Sequence, residues 1–180
     1  MDTRLHLPFV GGAIPVTFPF GAHPFDERIK TLFQTWGIIG HHGVDFGLPT
    51  ATRILAVDDG TVSQAGDQGD YGTTVVIDHA WGLSLYAHLL EAKVTVGQGV
   101  KSGELIGLSG KTGITSGPHL HLGIKPNNAD TSNGYLGFVD PMPFFFDNPL
   151  PTPLSSVKVS KSDLWDYLSQ DRRAKQRKGK

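Results

Sequence analysis

Eight histidines are spread along this 180-residue chain, and five of them fall in three short motifs. These are Gly40-His41-His42-Gly43-Val44-Asp45-Phe46, then Leu85-Tyr86-Ala87-His88-Leu89, then Gly117-Pro118-His119-Leu120-His121-Leu122-Gly123-Ile124. On an extended strand the side chains alternate between two faces. His119 and His121 therefore share one face, and Leu120 and Leu122 share the other. By the same rule His41 and Asp45, four apart, share a face. Gly43 lies between them without a side chain and offers room for an ion, while His42 points away. Imidazole and carboxylate are suitable zinc ligands, with bonds of about 2.0–2.2 Å. Two of them do not hold zinc well, so one histidine of the His119/His121 pair is expected to supply the third. Spacing alone does not say which. A His/Asp/His set leaves the fourth position open to water, the arrangement of a hydrolytic site rather than a structural one. His88 and the remaining histidine of the pair then stand beside the metal, where an imidazole suits proton transfer.

Composition narrows what can position these residues. The chain has no cysteine, so thiolate metal sites and disulfides are excluded, and 23 glycines and 12 prolines point to a turn-rich β protein. The fold is predicted to be mainly β, an antiparallel sheet carrying a groove, with few short helices. Strands are expected at Ile14–Pro19, Arg53–Val57, Thr61–Gln64, Thr73–His79, Leu83–His88, Lys93–Val96, Glu104–Ser109 and His119–Ile124. Ala80-Trp81-Gly82 joins two of these as a hairpin, and Ala65–Tyr71 reads as a polar loop. A turn or two of helix is expected at Asp26–Gln34, and a C-terminal helix at Ser162–Arg177, whose acidic start and basic end suit the helix dipole. The compact domain is placed at residues 1–147, followed over 148–180 by a Pro-rich linker and a basic tail. Groove walls are expected from residues 22–40, 65–72, 110–117 and 125–140.

The last ten residues, DRRAKQRKGK, carry six Lys/Arg and one Asp, although the whole chain has a net charge of −1. The body is therefore acidic and its tail basic. That opposes nucleic-acid binding by the body and suits attraction of the tail to an anionic cell-surface polymer or membrane surface. No apolar run is long enough to cross a bilayer as a helix.

Taken together, the motifs resemble those of the lysostaphin/LytM-type zinc peptidases, the peptidoglycan endopeptidases. That family's pattern is H-x-G-x-D, a Y-x-H strand and G-P-H-x-H. It matches HHGVD (41–45), YAH (86–88) and GPHLH (117–121), framed by FPFG (18–21), ILAVDDGTV (54–62) and VTVGQGVKSGELIGLSGKTG (94–113). The resemblance spans about Val16 to Ile124. It implies one zinc ion held by His41, Asp45 and His121, with His119 as general base and His88 hydrogen-bonding the oxyanion or the attacking water. It also implies hydrolysis of the peptide part of peptidoglycan by a monomeric enzyme acting at the cell wall, in the periplasm or outside the cell.

Other readings stay beside this one. Tyr86 is either a substrate contact or an ordinary half-buried strand aromatic. His23 stands where the family often carries Arg, and a groove-lining role is open to it. His6 reads as structural, and His79 as a hydrogen-bonding residue at the Trp81 turn or on the groove rim. A non-catalytic wall-binding or amidase-activating module of the same fold would be expected to have lost some of the five residues kept here, whereas a phage tail component using the fold for wall contact is compatible with residual activity. The N-terminal stretch is broken by Asp2, His6, Pro8 and Pro15 and lacks a positively charged start. It reads as opening strands rather than a leader. The expected setting is therefore a phage enzyme, holin-released or virion-borne, or a bacterial protein whose leader has been removed.

Overall fold

The computed structural model describes residues 4–10 and 16–145. The compact unit Met1–Asn148 contains all of them; the expected helix Ser162–Arg177 and the basic tail lie outside the described residues.

The described residues are built on one antiparallel sheet of nine strands. In chain order these are β1 (Val16–Phe18), β2 (Val44–Phe46), β3 (Arg53–Leu55), β4 (Gly60–Asp67), β5 (Thr73–His79), β6 (Gly82–Ala92), β7 (Gly99–Val100), β8 (Leu105–Ser109) and β9 (Leu120–Pro126). The order across the sheet is β1-β2-β9-β6-β5-β4-β7, and β8 pairs with both β3 and β6. Among the described residues there is one α-helix, α1 (Glu27–Trp36). Asp26 caps its start by accepting the Arg28 N–H at 2.8 Å. Gly37, in the left-handed region at φ 69°, ends it.

Alternation along β9 separates the two faces as the sequence requires. Leu120, Leu122 and Ile124 are fully buried in the main core with Val44, Phe46, Val75, Ile77 and Tyr86. His121 points to the opposite face, where Leu85, Ala87, Val76 and Phe138 form a smaller apolar cluster. Each core side chain of this size contributes roughly 1.5–3 kcal/mol through burial, so the leucines anchor the strand that carries the histidine.

Two strand expectations are corrected. Residues 93–96 form no strand: Gln98 N–H donates back to the Thr95 carbonyl at 3.1 Å, closing a turn. The supposed loop at 65–71 is shorter than expected, because β4 continues to Asp67 in register with Thr73. There the pairing with β5 overrides the weak strand preference of Gly66.

His79 is a core residue. Its Nδ1 bonds to the Asp59 carbonyl at 2.8 Å, its Nε2 to Ser84 Oγ at 2.7 Å, and its ring stacks on Trp81 at 4.6 Å. Ser84 in turn meets the Tyr86 hydroxyl at 3.1 Å. Burial holds the pKa of His79 below its ordinary value. Below about pH 6.5 the unfolded chain therefore binds a proton that the folded chain resists. The stabilisation is complete above that pH and is lost as the pH falls. Thermal melts between pH 7.5 and 5.5 are expected to show a falling Tm, with a shallower slope in His79→Gln. An unchanged slope would remove His79 from the account.

Candidate metal centre and active site

β2 and β9 pair so that Asp45 lies directly opposite His121, and β6 places the small Ala87 on the other side of His121. The Asp45–His121 contact is thus a cross-strand pair, His121 Nδ1 to Asp45 Oδ1 at 3.0 Å. His41 arrives differently. It precedes β2 rather than lying on it, so strand alternation is not what brings it to Asp45. Its backbone is tied to the Gly21–Ala22 segment by two bonds, Gly21 N–H to the His41 carbonyl at 2.8 Å and His41 N–H to the Ala22 carbonyl at 2.9 Å. Its ring packs on Phe18 at 4.5 Å, and its Nδ1 lies 3.2 Å from the Pro19 carbonyl. A carbonyl only accepts, so Nδ1 carries the proton and Nε2 presents a lone pair to the site. This is the physical role of the Phe18-Pro19-Phe20-Gly21 stretch.

The expectation for Gly43 is also revised. A Cβ built there would lie 2.6 Å from His121 Cε1 and 2.6 Å from the Leu122 carbonyl. The space next to Gly43 is filled by the His121 ring, not left for an ion.

His41 Nε2, Asp45 Oδ1 and His121 Nδ1 converge, at separations of 2.9 Å between the imidazoles and 3.2 and 3.0 Å to the carboxylate. All three residues are mostly buried. A tetrahedral shell with bonds of about 2.0–2.1 Å spaces its ligand atoms roughly 3.3 Å apart, so the donor set fits a metal ion of this kind. Electrostatics agrees. Burial alone would raise the pKa of Asp45, yet His41 and His121 hold it well below the ordinary carboxylate range. Burial lowers the pKa of His121 against the pull of Asp45. An ionised Asp45 is the form that a cation needs.

His119 and His88 complete the group, with rings 4.7 Å apart. The Nδ1 of His119 bonds to the Gly117 carbonyl at 2.8 Å, and its Nε2 lies 3.6 Å from Asp45 Oδ2. The Nδ1 of His88 bonds to the Thr112 carbonyl at 2.9 Å. Both rings therefore direct an Nε2 lone pair inward. Burial, with His121 and His119 nearby, lowers the pKa of His88 to about 4.

The backbone at His88 is left-handed, φ 59°. Here β6 leaves β9, after Ala87 opposite His121, and joins β8 at Leu89 opposite Ser109. Tyr86 and Leu89 both sit in the main core, so the irregular residue shifts the alternation and turns His88 to the site face. Such a conformation costs a non-glycine residue about 1–2 kcal/mol. Thr112 offsets it, since its hydroxyl donates to the Leu89 carbonyl at 2.7 Å and accepts the Thr73 N–H at 2.9 Å. Sequence spacing offered no signal for Thr112.

These residues line one open cavity of about 350 Å³. Its walls are α1 with Phe25, Ile29, Leu32 and Trp36, then Asp70 and Tyr71, then Ile114 to Ser116. Three of the four expected walls are present. Residues 125–140 buttress from behind instead: Phe138 packs against His42 at 5.2 Å and occupies the space beside Gly123. Two further expectations do not hold. Tyr86 is fully buried in the core, its hydroxyl accepting the Val57 N–H at 2.8 Å, and it does not line the cavity. His23 is exposed and also outside the lining, although its neighbours Pro24 and Phe25 belong to it. His42, expected to face away, is 1% exposed and lines the cavity beside His121. The strand begins only at Val44, so alternation does not govern residues 41–43.

Comparison with known proteins decides the family. The description "Peptidase family M23" matches residues 39–133, more than half of the chain and the span that holds all three histidine motifs. The chain belongs to peptidase family M23. The catalytic domain of lysostaphin from Staphylococcus simulans superposes with a TM-score of 0.58 and 31% identity, covering 71% of this chain and 88% of that one. DD-carboxypeptidase/endopeptidase Mpg of Neisseria meningitidis is 30% identical over 89% of this chain, and peptidoglycan DD-endopeptidase ShyA of Vibrio cholerae 35% over 64%. The chain spans about a third of the length of Mpg and a quarter of ShyA. The M23 fold and the likeness to lysostaphin/LytM-type peptidoglycan endopeptidases are thus established. Among the described residues no helix is long and apolar enough to cross a membrane.

The close packing at Gly43 has a measurable consequence. Gly43→Ala forces the His121 ring or the Leu122 backbone to move, at roughly 1–3 kcal/mol. Its Tm is expected to fall by several degrees, and its affinity for added divalent metal, measured by calorimetric titration, by tenfold or more. Parent-like affinity would show that the ring has room to spare.

Proposed function

We propose that this chain is a zinc-dependent endopeptidase that hydrolyses peptide bonds in bacterial peptidoglycan. The observation that carries the reading is the convergence of His41, Asp45 and His121 in an open cavity beside two histidines, His88 and His119, whose Nδ1 atoms are held by backbone carbonyls. An all-nitrogen-and-oxygen donor set of this size suits zinc. When bound, zinc polarises a carbonyl oxygen and lowers the pKa of water to about 7.

The protein's own groups supply the rest. His119, oriented by the Gly117 carbonyl and by Thr115 Oγ1 at 3.1 Å, accepts the proton of the attacking water at Nε2 and returns it to the leaving amine. His88 presents a lone pair when neutral, so it accepts a hydrogen bond from that water and holds it against the scissile carbonyl. It becomes an oxyanion donor only when protonated, which its burial opposes. The apolar wall of α1 excludes water from one side of the cavity. There is no His-Glu-x-x-His helix, so no glutamate base of that kind takes part. DD cross-links are the first bonds to test, since Mpg and ShyA carry that specificity in their names.

Purified sacculi from Gram-negative and Gram-positive bacteria, with mass spectrometry of the released muropeptides, test the reaction and name the bond. Release that stops on chelation and returns with zinc is the expected result; no release from either wall would overturn the proposal. His121→Ala is expected to lose metal and activity together. His119→Ala should retain bound zinc by elemental analysis while its rate falls about 10²-fold or more. A His119→Ala protein cleaving at the parent rate would refute its assignment as base.

A further inference from the structure

Two buried side-chain nitrogens have no hydrogen-bond partner among the described residues, His42 Nδ1 and His121 Nε2. Their rings are 5.1 Å apart. The other nitrogen of His42, Nε2, is hydrogen-bonded to the Tyr71 hydroxyl. Trp36 and Phe138 box in the imidazole with edge contacts at 5.6 and 5.2 Å. An apolar side chain would suit that box better, because a buried polar atom left unpaired costs about 1–3 kcal/mol. The Tyr71 bond is what the imidazole achieves there.

The direction of that bond follows from which orphan is tolerable. With the proton on Nδ1, His42 would bury an unpaired N–H donor; with the proton on Nε2, it buries an unpaired acceptor. Orphaned donors are the rarer case in folded proteins. The same preference holds at His121: without a metal its Nδ1 faces two acceptors, the Asp45 carboxylate and the His41 Nε2 lone pair, so Nδ1 carries the proton and the unpaired Nε2 is an acceptor. His42 thus donates from Nε2 to the Tyr71 oxygen, and the phenolic proton is not consumed by that bond. No other bond to the hydroxyl is present among the described residues. Tyr71 stacks on Trp36 at 5.2 Å, lies 6.0 Å from the His121 ring and lines the cavity.

We infer that Tyr71 is a further catalytic residue, its hydroxyl donating a hydrogen bond to the substrate oxygen that becomes the oxyanion, and that His42 is the residue that positions it. This rests on the endopeptidase reading and fills the donor role that neutral His88 leaves open. Preorganised donors of this kind act where charge develops, and removing one costs about 10²–10³-fold in kcat.

The test has two arms on the full chain. In metal-free protein, long-range ¹⁵N–¹H correlation is expected to identify His42 as the Nε2–H tautomer; an Nδ1–H tautomer would overturn the inference, whatever the activity. In zinc-loaded protein, Tyr71→Phe should lower kcat about 10²-fold with KM and zinc content unchanged, and its Tm should fall by several degrees because His42 Nε2 loses its partner. His42→Leu should lower kcat while Tm holds or rises, which a merely structural histidine would not do. His42→Gln, which restores a donor near Nε2, should recover most of the rate. The double variant Tyr71→Phe/His42→Leu should be no slower than Tyr71→Phe alone. Parent-like kcat in Tyr71→Phe, or losses that multiply in the double variant, would overturn the inference. A parent protein that cleaves no peptidoglycan would instead refute the endopeptidase reading, leaving the tautomer result to stand or fall by itself.

Discussion

A single carboxylate, Asp45, holds the site together. It is mostly buried, and its oxygens contact His41, His121 and His119 at 3.2, 3.0 and 3.6 Å. A buried charge without partners is prohibitive, and three imidazoles crowded together without a charge would repel when protonated. Each component therefore requires the others. The sheet meets that demand by pairing Asp45 directly with His121 and by delivering His41 from a segment clamped to Gly21 and Ala22.

The second constraint is conformational. The histidines at 119 and 121 reach the site face through ordinary alternation, with Leu120 and Leu122 as ballast in the core. His88 reaches it through an irregularity, a left-handed residue where β6 exchanges one neighbour for another. Local strain of this type persists only where surrounding bonds over-determine it, and Thr112 supplies three of them, two through its hydroxyl and one through its carbonyl. Orientation then sets chemistry: each of His41, His88 and His119 has its Nδ1 on a backbone carbonyl, so each turns Nε2 inward.

Much of this was legible in the residues themselves. The three motifs, the hairpin at 73–88, the anchoring leucines and the α1 region follow from period, turn residues and caps. The failures share a cause. His42 and Tyr86 were placed by alternation or motif proximity, yet the first lies before a strand starts and the second lies just before the strand changes parity. Tyr71 and Thr112 belong to turns whose sequences carry no chemical signature, and they matter because of what they touch.

The sequence by itself determined that this is a β protein with no thiols, that its donors are histidine and aspartate, and that two histidines of the last motif share a face. Those conclusions depend on residue type and on the period of two along a strand, which are local properties. Only the tertiary structure decided that Gly43 makes room for the His121 ring, that β6 shifts parity at His88, and that His42 turns inward to Tyr71. These depend on close approach between residues from 20 apart (Leu89 and Ser109) to 78 apart (Gly43 and His121), and no local pattern encodes which ring fills which space.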